Sequence, residues 1–149
     1  MIDGMLMNKE QICKAQHINH ICIAVKDIDA SMQFYKQMFG VNPGNVEVIK
    51  DQGVKAALLR VGGSQIELIE PLESGNSIGR FIETRGESVH HICFEVDDLQ
   101  EKLNQMSESD VRLIDDSPRE GLSGMIAFIH PKSTNGILYE LVDSDTARR

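Results

Sequence analysis

Tryptophan is missing from this chain, and aromatic residues of all kinds make up only 5% of its 149 positions. Even so, 41% of the residues are hydrophobic, enough for a globular core and too few for a membrane protein. No apolar run approaches the length of a transmembrane helix, which argues against membrane partners. The stretch Met1 to Gln16 lacks the basic-then-apolar order of a secretory signal. It reads as a loose N-terminal extension, with Met5 and Met7 as alternative starts. Cysteine is scarce too. Cys13, Cys22 and Cys93 form no CxxC pair, and such an odd, scattered set fits a reducing, cytoplasmic compartment. Cys22 and Cys93 lie inside apolar strand segments and read as small core residues. Positive charge is also in short supply. A net charge of −8 disfavours nucleic acid, whose binding needs a basic face, and an anionic ligand would need a local cluster of cations.

What the sequence does contain, it contains twice. Asn19-His20-Ile21-Cys22-Ile23-Ala24-Val25-Lys26-Asp27-Ile28 returns as His90-His91-Ile92-Cys93-Phe94-Glu95-Val96-Asp97-Asp98-Leu99. At nearly the same offset, Ile66-Glu67-Leu68 returns as Tyr139-Glu140-Leu141. The length suits one domain made of two small fused modules. A duplicated unit that supplies one His and one Glu per copy can close a two-His, two-carboxylate site on its pseudo-twofold axis.

Periodicity assigns the elements. Ile18 to Val25 alternates as a half-buried strand, with His20, Cys22 and Ala24 on one face. Asp27 caps a following helix that carries Ile28, Met32, Tyr35 and Phe39 on one stripe and stops at Gly40. Strands are expected at 46–50, 54–61 and 64–69, the last two joined by Gly62-Gly63. Pro71 to Ser77 links the modules, and Ser77 caps a short helix from Ile78 to Arg85. The second module repeats the order: a strand at 89–96, a helix at 98–106, then strands near 111–114, 125–130 and 137–142. The tail from Ser144 is polar and reads as frayed. The fold class is therefore α+β: two tandem βαβββ modules forming a curved, cup-shaped mixed sheet with helices outside. The boundaries are 1–16 for the extension, 17–143 for the domain (modules at about 17–71 and 88–143) and 144–149 for the tail.

Strand parity places His20, Glu67, His91 and Glu140 on inward faces, with Gln65 beside Glu67, while the aliphatic positions take the other side. Two imidazoles and two carboxylates suit one divalent ion with open positions for substrate. Without a thiolate, the set is not a structural zinc knuckle. An isolated His would be read as a core residue; the in-register repeat favours metal. His90 and His17 read as structural. His130, in the turn His130-Pro131-Lys132-Ser133-Thr134-Asn135-Gly136, suits a surface turn and a ligand loop equally.

With those residues in view, the chain resembles the vicinal oxygen chelate (glyoxalase/dioxygenase-like) superfamily, and within it the methylmalonyl-CoA epimerase family, from His20 to Asp143. Beyond the repeat itself, the resemblance rests on Gln52-Gly53-Val54, Ile66-Glu67-Leu68-Ile69-Glu70-Pro71-Leu72, Val111-Arg112-Leu113-Ile114 and Phe128-Ile129-His130-Pro131-Lys132-Ser133-Thr134. Three positions depart from the pattern. Asn19 stands where Asp is frequent, Gly121-Leu122-Ser123-Gly124 replaces a more glycine-rich loop, and Ala56 occupies the position of a proposed acid/base Glu. The resemblance implies epimerisation of methylmalonyl-CoA at C2 through a metal-stabilised enolate. It implies a divalent ion (cobalt, manganese, nickel or zinc) on His20, Glu67, His91 and Glu140, with Glu140 moving a proton. Glu67, Glu95 or a water on the metal stands open as the second acid/base. Gln65 and Lys132 are candidate substrate contacts, and Lys132, Arg119 and Arg80 are the cations available to CoA phosphates. An acyl-CoA substrate and a homodimer are the implied partners. The competing readings are a glyoxalase-I-type lactoylglutathione lyase and a non-catalytic small-molecule-binding member of the superfamily.

Overall fold

The computed structural model describes residues 10–149. Most of the expected N-terminal extension, with Met5 and Met7, therefore lies outside the described residues. The first module runs β1 (His17–Ala24), α1 (Ile28–Phe39), β2 (Glu47–Ile49), β3 (Val54–Val61) and β4 (Ser64–Pro71). A connecting helix, α2 (Ser77–Arg85), follows. The second module is β5 (Ser88–Val96), α3 (Leu99–Glu108), β6 (Arg119–Gly121), β7 (Gly124–Ile129) and β8 (Tyr139–Asp143). The architecture is α+β, with the βαβββ order present twice. Among the described residues, no helix is long and apolar enough to cross a membrane.

Two compact units can be distinguished: His20–His90, and His91–Arg149 together with residues 10–19. In the first, strands neighbour one another in the order β2-β3-β4-β1. β1 pairs parallel with β4, placing His20 opposite Gln65 and Cys22 opposite Glu67, while β3 pairs antiparallel with β4. The other face of this sheet carries Ile23, Ala57, Leu59, Ile66 and Leu68, which pack with Ile28, Met32 and Tyr35 of α1. In the second unit the order is β5-β8-β7-β6, with β5 parallel to β8 and Cys93 opposite Glu140. Phe94, Val96, Ala127, Ile129 and Leu141 pack with Leu99, Leu103 and Met106 of α3. In both units, alternation sends aliphatic side chains to the helix and polar ones to the opposite face.

A shared device docks each module helix. The Asp27 side chain accepts from the Ala30 amide at 2.9 Å, and the Glu70 carboxylate at the end of β4 accepts from the first helical amide, Ile28, also at 2.9 Å. Asp143, at the end of β8, accepts from the Leu99 amide at 3.0 Å in the same way. Each acid satisfies an orphan N–H and sits at the positive end of the helix dipole. α1 stops where Gly40 adopts φ 65°, as its glycine predicts.

Four local expectations are corrected. The cap of α2 is Asn76 rather than Ser77: its side chain accepts from the Gly79 amide at 2.9 Å while donating to the Gly53 carbonyl at 2.7 Å. The segment 111–114 is no strand. Leu113 alone bridges Ile129, and the strand beside β7 is β6. Phe39 does not share the buried stripe of α1; it is 64% exposed and packs edge-on against Phe34. The tail is tied down, with the Ser144 amide on the Val96 carbonyl and the Arg148 amide on the Ser123 carbonyl, both at 2.8 Å.

Candidate functional site

Each unit builds one buried His–Glu pair from the same two positions of its repeat. On β1, His20 is wholly buried, and its Nε2 lies 3.2 Å from the Glu67 carboxylate on β4. The register brings them together, because Glu67 stands beside Cys22, one step along the same face. The Cys22 thiol lies 3.7 Å from the other Glu67 oxygen, and Gln65 is buried on the same face. On β5, His91 Nε2 lies 3.1 Å from the Glu140 carboxylate of β8. The Ser123 hydroxyl donates to the second Glu140 oxygen at 3.1 Å. Phe128, opposite Glu140 on β7, sets its ring edge-on to the His91 imidazole at 5.1 Å.

The donor set can be tested against a metal. Two donors held about 2.1 Å from one ion at a right angle stand roughly 3 Å apart. The two pairs, at 3.2 and 3.1 Å, have that separation, which is also that of a His–Glu hydrogen bond. A buried carboxylate costs several kcal/mol unless positive charge offsets it, and a neutral imidazole supplies only an N–H. Oxygen and imidazole donors fit a divalent cation, and the residues present fit one in kind and in spacing.

Other sequence candidates fall into distinct settings. Lys132 is exposed on a 3-10 turn (Pro131–Ser133) whose cap is His130, its Nδ1 accepting from the Lys132 amide at 3.1 Å. His130 therefore has a turn-forming role. Arg80, in α2, donates to the Gly75 carbonyl in the loop before that helix. Arg119 is held toward the His91 side of its unit, with Nε 3.0 Å from Asp115 and the guanidinium 5.5 Å above the Phe128 ring. Ala56 is fully buried and shares the Glu67 face, since Ala56 lies opposite Ile69 and Leu58 opposite Glu67. His90 packs against Phe81 at 4.8 Å.

Glu95, two residues beyond Cys93, is wholly buried. It receives His17 Nε2 at 3.0 Å, the Asn19 amide at 3.4 Å and the Arg149 guanidinium. Burial alone would raise its pKa, but the hydrogen bonds from Arg149 and Asn19 and the charges of His17 and Arg149 outweigh burial, so its carboxyl lies below its ordinary value. An Asp at position 19 could not donate the bond that Asn19 makes, which gives this departure a local reason. Ser123 and Phe128 are the residues that sequence reasoning missed. Parity places Phe128 opposite Glu140, whereas no local signal turns Ser123 inward.

Residues 19–128 match the Glyoxalase/Bleomycin resistance protein/Dioxygenase superfamily. The chain belongs to this superfamily. Within it, the ethylmalonyl-CoA/methylmalonyl-CoA epimerase of Cereibacter sphaeroides is 34% identical over 83% of this chain and 95% of its own length. An uncharacterised protein of Bacillus subtilis, YqjC, is 39% identical over 85% of this chain and 91% of its own. A solved Streptomyces coelicolor methylmalonyl-CoA epimerase variant, in complex with 2-nitronate-propionyl-CoA, shares the fold with a TM-score of 0.83 at 33% identity. That likeness covers 91% of this chain and 100% of the other. The resemblance read from the repeat thus holds for both the superfamily and its epimerase members, which are racemase/epimerase-class enzymes.

Proposed function

We propose that this chain epimerises methylmalonyl-CoA at C2, with one divalent ion held jointly by His20, Glu67, His91 and Glu140. The observation that carries the reading is the buried His–Glu pair built at the same repeat positions in both units. The acyl-CoA substrate is carried over from the relatives that bear that activity in their names. Cobalt, manganese, nickel and zinc all suit the N/O donor set.

When bound, such an ion supplies a Lewis acid for the thioester carbonyl and the carboxylate that flank C2. The chain's own residues do the rest. Glu140 is the proposed proton carrier. Its carboxylate is buried, oriented from one side by Ser123 and flanked by His91 on the other, so it has few competing orientations. Gln65 offers a buried amide on the Glu67 face for a polar group of the acyl end. Inversion needs a second proton-moving group on the opposite face of C2. Ala56 cannot serve, having no ionisable group. Glu95 is a poor choice, because His17, Asn19 and Arg149 hold it as a weak base. Of the groups considered, that leaves Glu67 or water. Arg119 and Lys132 are the proposed partners of the CoA phosphates, against the chain's overall charge of −8.

The test is incubation of a single methylmalonyl-CoA epimer in heavy water with and without added cobalt. Removing the C2 proton opens exchange with solvent, so deuterium should appear at C2, and only when metal is present. Lack of incorporation at every metal loading would overturn the reading. Isomerisation of a glutathione hemithioacetal instead would assign the glyoxalase-type reaction, and absence of both would leave a binding role.

A further inference from the structure

The loop between β6 and β7 is a tight hairpin, closed by the pairing of Gly121 with Gly124 and leaving Leu122 and Ser123 at its tip. Hairpin tips ordinarily face solvent. Ser123 does not: it is 1% exposed. A buried hydroxyl needs a partner, and the Glu140 oxygen at 3.1 Å is the one it has.

The chain spends several contacts on keeping the tip turned in. The Arg148 amide donates to the Ser123 carbonyl at 2.8 Å, and the Arg148 guanidinium donates to the Leu122 carbonyl at 2.9 Å. The Met125 amide donates to the Thr146 hydroxyl at 2.9 Å. Gly124 sits at φ 135°, and a Cβ there would come within 2.7 Å of the Thr146 carbonyl oxygen, so only glycine permits the approach. The strap is anchored in turn by the Asn19 amide on the Arg148 carbonyl, at 3.2 Å. Residues 144–149 therefore press one hydroxyl onto one carboxylate.

In the first module the corresponding carboxylate meets a different side chain. Glu67 receives the Cys22 thiol at 3.7 Å, and a thiol is a much weaker donor than a hydroxyl. The His–Glu pairs thus repeat, while a hydroxyl meets Glu140 where a thiol meets Glu67.

We infer that Ser123 is a positioning residue for Glu140: it fixes one carboxylate oxygen so that the other faces the His91 side and the ion. This rests on the metal reading above. Outer partners that orient metal ligands are typically worth about 10–100-fold in metal affinity when removed. Ser123→Ala deletes the hydroxyl without adding bulk, and it should weaken cobalt binding to the whole chain by about that factor in competition with a chromophoric chelator. Ser123→Thr keeps the hydroxyl and should restore affinity toward the parent value. The metal-free Ser123→Ala protein should melt close to the parent. If Ser123→Ala binds cobalt as tightly as the parent, the inference fails while the metal reading stands. If only its melting temperature falls, Ser123 serves hairpin packing alone, and the inference is again overturned. A parent chain that binds no cobalt would defeat the metal reading, and this inference with it.

Discussion

Glu140→Gln separates holding an ion from moving a proton. Glutamine matches the shape of glutamate, keeps one oxygen donor and loses the charge and the proton-accepting group. The surroundings accommodate it. The Ser123 hydroxyl, 3.1 Å from one Glu140 oxygen, can accept from the new amide as readily as it donates to the carboxylate. The remaining oxygen can then stay on the His91 side, where Glu140 now lies 3.1 Å from Nε2. Glu140 is only 4% exposed, so water cannot easily substitute for the lost base. A positioned general base contributes about 10²–10⁴-fold to a proton transfer, or about 3–5 kcal/mol of barrier. At saturating cobalt, turnover of methylmalonyl-CoA should fall by about that factor. Cobalt should still bind, more weakly, and the fold should persist. The assay is initial epimerisation rate against cobalt concentration, extended until the variant is fully loaded. Parental turnover at full loading would refute the reasoning and confine Glu140 to a ligand's role.

Two further outcomes follow from the packing. Because the Glu95 pKa is lowered in the folded protein, its contribution is complete above the unfolded value of about 4.3 and lost as pH falls through the folded value. Melting temperature should therefore decline below about pH 4 in the parent and less steeply in Glu95→Gln, although the variant starts lower; equal slopes would show that Glu95 does not govern acid stability. Glu70→Ala and Asp143→Ala each remove the acceptor at the start of a module helix, and each should cost about 1 kcal/mol in urea unfolding. Lys55→Ala, which removes only a half-exposed ion pair with Glu70, should cost less, and the reverse order would refute the capping account.

The main outlines of the fold were legible because they depend on period and punctuation. Alternation in Ile18 to Val25 assigns β1, and Asp27 with Gly40 brackets α1 to the residue. The repeat supplies one His and one Glu per copy, and in the fold His20 lies beside Glu67 and His91 beside Glu140. What escaped depends on distant partners. Asn76 and Ser77 are both good caps, and the bond from Asn76 to Gly53 selects the former. Val111 to Ile114 has strand-like side chains, but Asp115 turns to take the Phe128 amide at 2.8 Å and Arg119 at 3.0 Å, so its pairing with β7 stops at the single Leu113 bridge and resumes only at β6. The polar tail reads as frayed because its partners, Val96, Ser123 and Glu95, come from other parts of the chain. Ser123 is hidden for the same reason, since only the bonded strap turns a hairpin tip inward.

Cobalt stoichiometry tests most directly the proposal that His20, Glu67, His91 and Glu140 serve one ion. Elemental analysis of the purified, cobalt-loaded chain should give one ion per polypeptide. His20→Ala and His91→Ala, one from each pair, should each abolish that stoichiometric binding while the protein remains folded. Two ions per chain, each lost with its own histidine, would mean that the pairs act separately, and undiminished binding in both variants would mean that the ion lies elsewhere.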